Sequence, residues 1–471
     1  MIDLNLNVVA ERVRQEIKER VLQGYDVDGS LQRWEAARGD RQALLELSQQ
    51  LTELPLQAGW PYHEPSDLEG IRQARGAPVS LPPFYLLEEE VRHKIHGAWL
   101  GRIAGCILGK PFEVHATQDE IRAYLAGANA LPLDDYIPAQ SRDSRILRRD
   151  CVPSMRGYVR YAQEDDDLNY MCLAVKLLET HGAAFTSLDT GMNWLGSIPF
   201  LWTWGPEHVV YLNLALAVGE HRAQEDIDLR AITTHLNPGV EWIGAQIRAD
   251  VYGYVCPGNP ELAAELAWRD AYLTHRKSGV YGAMWVAAMN AAAFTLLDIE
   301  TVIRAGLAQV PARSRFAEAI QQVIAWYHTD NDWWTTGQRI AEHYGKYGFA
   351  GAISNACVVA AALLYGWGDG TATPADAYER TITVAVQLAF DTDCNAATAG
   401  SVVGLVLGVG LLPHKWTAPL NDTIRTCVAG FGREPISAMA QRTYDLSRII
   451  RWQTATSVPT TPRPVPHPLS S

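Results

Sequence analysis

Apolar residues recur at helical spacing over most of the chain, whereas the strict alternation of half-buried strands is almost absent. Two amphipathic helices are expected near the beginning, at 8–22 and 41–54, before a connection rich in Pro and Gly at 55–83. Further helices are expected at 88–109, 117–126, 154–161, 167–181, 206–220, 238–251, 259–274, 279–296, 299–309, 313–328, 332–345, 350–365, 374–390, 395–410 and 435–451. The pattern predicts an all-α fold, a large helical bundle with an N-terminal helical extension.

The same pattern divides the chain into three segments. Residues 1–87 are expected to form the helical extension and its irregular connection, and residues 88–452 the main domain. The last residues, 453–471, are polar and rich in Pro, so they cannot bury a core and are expected to form a disordered tail.

Two predicted helices carry glycine at every fourth position. The glycines are Gly97, Gly101, Gly105 and Gly109 in one helix and Gly400, Gly404 and Gly408 in the other. Residues four apart lie on one face of a helix, and glycine there lets two backbones approach closely. Each interior glycine costs up to about 1 kcal/mol relative to alanine, which tight packing must offset. Two interpretations stay open: simple core packing, or a central helix pair that positions a functional site.

Composition and charge narrow the possible partners. The chain has 471 residues, 48% hydrophobic and 20% charged, which is an ordinary globular balance. Its formal net charge of -13 disfavours nucleic acid and anionic membranes as partners. Seven cysteines are scattered without a CxxC pair, so a disulfide framework and a structural zinc site are not expected. Together with the lack of signal-peptide features, this predicts a reducing, cytoplasmic location.

One uncharged stretch could be mistaken for a membrane span. Residues 396–412 carry no charge, but they are fewer than the roughly 20 residues that cross a bilayer. They are also rich in glycine and follow an acidic segment. We predict a fully buried helix here.

The first candidate for chemistry is the run Glu164-Asp165-Asp166-Asp167, which opens a predicted helix. Acids in a first helical turn are favoured by the helix dipole, and Asp165 or Asp166 could act as the helix cap. Capping needs only one acid, however, and four in a row repel one another. A metal site and a structural cap are therefore both open interpretations.

The second candidate is the segment Asp391-Thr392-Asp393-Cys394-Asn395, which lies between two apolar predicted helices. Burying its two carboxylates without partners would be costly, and no Lys or Arg lies between Arg380 and Lys415. A bound cation would supply the missing charge. Carboxylate ligands in this number suit Mg²⁺ or Mn²⁺ better than zinc.

Four motifs, in their order along the chain, resemble those of a known family. They are GAWLGRIAGCILGKPFE at 97–113, EDDD at 164–167, LTHRKSGVYGAMWVAAM at 273–289 and AFDTDCNAATAGSVVG at 389–404. The chain is similar, over about residues 92–412, to the ADP-ribosylglycohydrolase family, which includes the dinitrogenase-reductase-activating glycohydrolases. The resemblance implies the family's large orthogonal bundle of helices and a site for two Mg²⁺ or Mn²⁺ ions.

The resemblance also implies roles for particular residues. It places the metal ligands at Glu164, Asp165, Asp166, Asp391, Asp393 and Cys394. Catalytic roles fall to Glu113, Asp165, Asp391 and Asp393, with one of the aspartates orienting or deprotonating a water. Substrate-binding roles fall to Glu113, which would contact the ribose and gate access, and to His275 and Asn395. From the residues alone, Glu113 could instead be an exposed acid and His275 a core histidine.

Several positions depart from the family pattern. Glu164 stands where the family has Thr, Cys394 where Thr or Ser is usual, and Cys106 where Asp is common. A thiol is a weak ligand for Mg²⁺. No phosphate loop of the Gly-Asn-Gly type is evident, and residues 196–214 lie in roughly its place. Arg248 could pair with a phosphate or form an ion pair with Asp250 or Glu241.

Taken together, these features predict a divalent-metal-dependent hydrolase of a ribosyl glycosidic bond, acting on a small ADP-ribosyl or related ribosyl substrate. Two alternatives stay open. One is a hydrolase of nucleosides or other small ribosyl N-glycosides, suggested by the missing phosphate loop. The other is a non-catalytic binding protein on the same fold, against which the retained Glu113 and acidic clusters argue.

Overall fold

The computed structural model describes residues 5–113, 116–139, 146–220, 226–330 and 332–457. Helices dominate the described residues. Two strands of three residues, β1 at Thr423–Arg425 and β2 at Arg433–Pro435, pair antiparallel with Ile424 opposite Glu434. The predicted all-α class is confirmed, and this small hairpin was not foreseen.

The helices follow one another through all the described segments. Their bounds are α1 Leu6–Leu22, α2 Ser30–Ala37, α3 Arg41–Thr52, α4 Leu68–Ala74, α5 Glu88–Gly109, α6 Gln118–Gly127, α7 Asp166–His181, α8 Ser187–Ser197, α9 Gly205–Gly219, α10 Leu229–Thr234, α11 Gly244–Ile247, α12 Asp250–Tyr254, α13 Pro260–Ala271, α14 Ser278–Ala292, α15 Ile299–Leu307, α16 Arg315–Tyr327, α17 Trp333–Tyr344, α18 Ala352–Trp367, α19 Pro374–Gln387, α20 Thr392–Leu407, α21 His414–Thr417 and α22 Ile436–Ser457.

Several predictions of individual helices differ from the structure, and the helices α2, α4, α8, α10 and α21 have no counterpart among the predicted ones. The helix expected at 154–161 is wrong: a 3₁₀ turn ends at Ser154, and Gly157 then takes a left-handed φ of 82°. The helix expected at 238–251 is divided into the short α11 and α12. Helix α8 was missed, although Thr186 and Asp189 form a capping box at its start, which is a signal present in the sequence.

Helices α5 and α20 form an antiparallel pair in the centre of the fold. A methyl group added to Gly101 would overlap the carbonyl oxygen of Gly400, and one added to Gly97 would overlap that of Gly404. At the far end of the pair, Gly109 faces the carbonyl oxygen of Thr392 in the same way. The backbones therefore touch without intervening side chains, as the glycine spacing predicted.

The N-terminal helices have a small core of their own. Apolar residues of α1 and α3 pack together, among them Val13, Leu44 and Leu51. The connection that follows is fixed to the main bundle by a buried ion pair between Glu64 and Arg315, with oxygen–nitrogen distances of 2.9–3.0 Å. The boundary at residue 87 stays a prediction, and most of the predicted tail lies outside the described residues.

Most of the uncharged stretch is buried, but its helix ends at Leu407 and Leu411 is 52% exposed, so the prediction of a fully buried helix at 396–412 is confirmed only in part. Its helix, α20, packs against α5, α18 and α19, and its residues from Thr392 to Val406 are buried. Among the described residues, none of the helices combines the length and the apolar character needed to cross a bilayer.

Candidate metal centre

The first acidic segment begins helix α7. Asp165 is the N-cap residue, and its Oδ1 accepts a hydrogen bond of 3.0 Å from the backbone N–H of Asp167. The capping role that the sequence left open is therefore filled by one oxygen of Asp165. The segment is not a solvated helix end, because Asp165 and Asp167 are 2% and 0% exposed.

The second acidic segment begins helix α20, and its carboxylates do not cap it. Asp391 occupies the N-cap position, but its side chain makes no capping hydrogen bond. Its backbone N–H instead donates to Oδ1 of Asn355 at 3.0 Å, and the amide of Asn395 donates to the same oxygen at 2.8 Å. Ala389 and Phe390 precede it with φ angles of 62° and 60°. Such backbone strain at two consecutive non-glycine residues aims the carboxylates inward.

The two acidic segments meet at the end of α5. Within the described part of the chain, potential ligand atoms lie within 4.8 Å of one another in four groups. Two contain carboxylates alone, and we name them the first acidic group (Asp165, Asp166 and Asp167) and the second acidic group (Glu113, Asp391 and Asp393). The other two groups each include a cysteine and are Cys106–Asp165–Asp393 and Asp167–Asp393–Cys394.

Lys110 and Arg148 are basic side chains that enter this centre from its edges. Lys110, which is 2% exposed, forms an ion pair with Oδ2 of Asp165. Arg148 forms an ion pair with Glu113 and a second with Asp150, the latter at 3.0 Å. Burial disfavours the charge of Lys110, but Asp165 and then Glu113 outweigh it and raise the pKa of the lysine. The lysine therefore stays charged inside the site.

Asp167 is a buried member of the site that the sequence prediction left out. Its Oδ1 accepts from Arg102 at 2.8 Å, and its Oδ2 accepts from the thiol of Cys394 at 3.1 Å. Arg102 also pairs with Asp250 at 2.8 Å. Burial raises the pKa of Asp167 to about 7, although Arg102 opposes the shift. The signal for Asp167 was present, since it is the fourth acid of a run whose first three were chosen.

Burial and mutual repulsion raise the pKa of the other carboxyl groups. For Asp391, the pKa is raised first by burial and next by Glu113; for Asp393, first by burial and next by Asp165. Burial and then Asp165 raise the pKa of Asp166, while burial and then Asp393 raise that of Glu113. Such shifts mean that the protein alone disfavours the charged forms. A bound cation would favour them.

The oxygen atoms present fit a hard divalent cation. Oδ1 of Asp393 is buried and makes no hydrogen bond within the described residues, so it is free to act as a ligand. Oδ1 of Asn395 is buried without a partner in the same sense. Carboxylate oxygens with such open positions are the ligands that Mg²⁺ and Mn²⁺ take. The acidic clusters could therefore hold a metal ion.

Glu164 lies differently from its neighbours. Its side chain is half-buried, and it belongs to none of the four groups found among the described residues. Its charge acts on Cys427 instead, where it helps burial to raise the pKa of the thiol. The structure therefore brings together five of the six proposed ligands and leaves Glu164 at the side.

His275 belongs to a second buried polar cluster, which we name the Arg248 cluster (Glu207, Arg248, Asp270, Thr274 and His275). Arg248 forms ion pairs with Glu207 and Asp270 and donates to the hydroxyl of Thr274 at 2.6 Å. His275 meets the same hydroxyl through Nδ1 at 2.7 Å, and its Nε2 has no partner among the described residues. Burial and then Arg248 lower the pKa of His275, so the ring is neutral.

This cluster corrects the partners expected for Arg248. The sequence suggested Asp250 or Glu241, which lie nearby in the chain. Asp250 pairs instead with Arg102, and Glu241 with Arg315 at 2.8 Å. The partners of Arg248 come from α9 and α13, which sequence proximity could not reveal.

Comparison with known proteins places the chain in a family. Among solved structures, it is similar to an ADP-ribosylglycohydrolase-related protein complex, at 16% identity and a TM-score of 0.43, over 77% of this chain and 99% of that one. A likeness this distant supports no inference about function. Nothing among the curated proteins matches the chain. The family model described as ADP-ribosylglycohydrolase matches residues 87–451. This match confirms the resemblance of the motifs, and the chain belongs to the ADP-ribosylglycohydrolase family.

Proposed function

We propose that the chain is a divalent-metal-dependent hydrolase of a ribosyl glycosidic bond, acting on an ADP-ribosyl or related ribosyl compound. Membership of the ADP-ribosylglycohydrolase family supports glycosyl hydrolase chemistry. The convergence of carboxylates from three distant segments supports dependence on a divalent ion, Mg²⁺ or Mn²⁺.

One observation carries the proposal: negative charge exceeds positive charge in the buried centre. The two acidic groups contribute six carboxylates. The basic side chains found with them in the described residues are Arg102, Lys110 and Arg148. Arg102 is shared with Asp250, and Arg148 with Asp150, which are further acids. A purely structural cluster would leave this excess uncompensated at high cost, whereas a divalent cation would neutralise it.

Cleavage of a ribosyl glycosidic bond determines which groups the site must supply. A ribosyl glycoside breaks through an oxocarbenium-like transition state, which needs a held sugar, an activated water and a stabilised leaving group. A bound Mg²⁺ or Mn²⁺ would orient ribose hydroxyls and lower the pKa of a water. Asp391 and Asp393 would hold the ion, and one of Asp165, Asp391 and Asp393 would accept the proton of the attacking water. Glu113, which Arg148 holds at the edge of the centre, contacts the ribose and controls access.

A second candidate is hydrolysis of a smaller ribosyl compound such as a nucleoside. Arg248 was the arginine considered for a phosphate, and it is 1% exposed with both ion pairs inside the fold. It has no charge left for a diphosphate, which favours a substrate without one. His275 and Asn395 remain proposed contacts of the substrate.

The test is a screen of ribosyl compounds for metal-dependent release of ribose or ADP-ribose. Purified protein is incubated with ADP-ribosylated peptide, ADP-ribose and free ribonucleosides, in Mn²⁺, in Mg²⁺ and in EDTA. We expect turnover of at least one compound with metal and none in EDTA. Asp391→Asn/Asp393→Asn should lower the rate by at least about 10³-fold, equivalent to about 4 kcal/mol of transition-state stabilisation.

The matched control is Asp298→Asn, which removes one charge from an exposed helix cap and keeps the capping hydrogen bond. It should turn over substrate at the rate of the parent protein. Activity that survives the Asp391→Asn/Asp393→Asn change would rule out the metal chemistry. Binding of ADP-ribose without any turnover would instead favour the non-catalytic alternative.

A further inference from the structure

The two acidic groups are the places in the described structure where an ion would meet carboxylate ligands alone. The other two groups each contribute a thiol, from Cys106 or Cys394. Thiols are soft ligands that suit zinc or copper, not Mg²⁺ or Mn²⁺. A two-ion centre for hard cations would therefore need one ion at each acidic group.

The first acidic group already has its cations. Lys110 forms an ion pair with Oδ2 of Asp165, and its ammonium lies 2% exposed beside the group. Both oxygens of Asp167 are engaged as well, one by Arg102 at 2.8 Å and the other by the thiol of Cys394 at 3.1 Å. Oδ1 of Asp165 caps the helix. The four oxygens of Asp165 and Asp167 thus all have partners other than a metal ion, and of the group's six carboxylate oxygens only the two of Asp166 are left for an ion among the described residues.

The second acidic group keeps one ligand position open. Oδ1 of Asp393 has no hydrogen-bond partner among the described residues, and Asp391 makes no capping bond. Among the described residues, the basic side chain paired with this group is Arg148, which contacts Glu113 and also Asp150. A divalent cation bound here would face carboxylates and no ammonium group in direct contact.

A dication added to the first group would meet positive charge at close range. Lys110 and Arg102 both contact its carboxylates, and buried like charges repel strongly where water does not screen them. An ammonium group and a metal ion on the same carboxylate repel each other, which disfavours binding of an ion to Asp165 while Lys110 is charged.

We propose that the ammonium group of Lys110 takes the place of one metal ion, so that this chain binds a single divalent cation at Glu113, Asp391 and Asp393. The inference rests on the proposed function, because it takes metal binding as given and fixes the number and place of the ions. Lys110 is then a positioning residue, which holds Asp165 and the start of α7 as a second ion would. A site with a single ion departs from the two-ion site that the family resemblance implied.

The experiment counts Mn²⁺ directly. The full chain is loaded with excess Mn²⁺ and freed of unbound metal by gel filtration. Bound manganese is measured by mass spectrometry and by electron paramagnetic resonance, which separates isolated Mn²⁺ from spin-coupled pairs. The parent protein should hold about one Mn²⁺ with an isolated-ion spectrum. Lys110→Ala, which removes the ammonium group, should raise the ratio to about two and give a coupled spectrum.

The matched control is Lys94→Ala on α5, the helix that ends just before Lys110. Lys94 is half-buried, and it donates to the backbone carbonyl oxygens of Leu405 and Val406, far along α5 from the acidic groups. This variant should hold about one Mn²⁺, like the parent. Lys110→Met removes the charge with less change of volume and serves if the alanine variant fails to fold.

The number of bound Mn²⁺ ions tests the inference and the proposed function separately. Two Mn²⁺ in the parent protein, or one in a folded Lys110→Ala, would overturn the inference and leave the proposed function standing. No bound Mn²⁺ in the parent would instead contradict the proposed function itself. Because the parent protein alone is informative, the inference stays testable even if both Lys110 variants unfold.

Discussion

The acidic centre and the Arg248 cluster are both buried, charged and built from distant segments, but their charge balance differs. In the cluster, Arg248 sits between Glu207 and Asp270 and also donates to Thr274, so its donors have partners. In the acidic centre, carboxylates outnumber the basic side chains that contact them, and Oδ1 of Asp393 has no partner among the described residues. The charges of the Arg248 cluster form a closed network even though Nε2 of His275 lacks a partner among the described residues, whereas the acidic centre has an excess of carboxylates that could hold a cation.

The Arg248 cluster therefore has balanced charges inside the fold, whereas the acidic centre has the excess of carboxylates on which the proposed function rests. Neutralising a member of the closed network leaves a buried charge without its partner and should destabilise the protein. Neutralising a member of the acidic centre relieves repulsion that the folded protein tolerates without metal. The comparison holds if variants of the Arg248 cluster lose stability and variants of the acidic centre gain it without metal. It fails if both kinds of variant change stability in the same direction.

The largest effect on stability is expected for Arg248→Met. It removes the shared cation of Glu207 and Asp270, and breaking a buried pair in this way costs about 3–5 kcal/mol. Chemical denaturation should show that loss, while the number of bound Mn²⁺ is unchanged. The control is Arg442→Met, which breaks a partly exposed pair with Glu179 and should cost no more than about 1 kcal/mol. A loss of bound metal in folded Arg248→Met would show that the Arg248 cluster also affects metal binding, which would contradict the comparison.

The stabilisation by Mn²⁺ should depend strongly on pH. The carboxyls of the acidic centre have pKa values raised above their ordinary 3.8, to about 7 for Asp167, so they keep protons that the unfolded chain has lost. Without metal, this makes the contribution of these groups to stability fall as pH rises through that window. Metal binding needs the deprotonated forms and therefore strengthens with pH.

Thermal unfolding with and without Mn²⁺ checks this dependence. At 100 times its dissociation constant, a ligand adds about 2.7 kcal/mol to the stability of the folded state. We expect most of that increment at pH 8 and little of it at pH 5. An increment that is the same at both values would show that these carboxyls do not bind the ion.

A smaller effect of opposite sign is expected for Asp393→Asn in EDTA. The amide mimics the neutral form that burial already favours, so the metal-free protein should gain about 1–2 kcal/mol at pH 8. Asp270→Asn, the matched change in the Arg248 cluster, should instead lower stability because Arg248 loses an ion partner. Equal losses in both variants would contradict the charge comparison.

The smallest effect concerns the strained turn before Asp391. Ala389 has a φ of 62°, which glycine adopts without strain, so Ala389→Gly should stabilise the protein by up to about 1 kcal/mol. Ala385→Gly, inside helix α19, is the control and should cost about 1 kcal/mol or more. Calorimetry measures both. A loss in Ala389→Gly would mean that the turn is not strained.

Most of the fold could be predicted because its determinants are local or periodic. Helical spacing gave α5, α14 and α18 within a few residues, and the glycine spacing predicted the contact of α5 with α20. The region around 154–161 failed because a left-handed glycine ends its helical pattern. Acidic segments far apart in sequence were expected to meet, and the structure brings them together.

The detail of the site was less predictable, for two physical reasons. Consecutive helical residues point about 100° apart, so the run at 164–167 could not reveal that Asp167 turns inward and Glu164 aside. Partner choice is also non-local. Lys110 reaches Asp165 from another helix, and a search for basic residues near 391–393 in the sequence could not find it.

The glycine contact between α5 and α20 has a consequence for how this site could be altered. Where two main chains touch, with Gly101 against the carbonyl oxygen of Gly400, neither helix can slide or roll without a steric clash. Asp393 lies at one end of that contact, where Gly109 packs against its backbone, and Glu113 lies just beyond Gly109. The backbones of the two helices therefore fix the distance between the two carboxylates. A bulkier residue in place of one of these glycines would push the two helices apart and increase the distance between the two carboxylates. A substitution far from the site would in this way change the affinity for the ion that we propose to bind there.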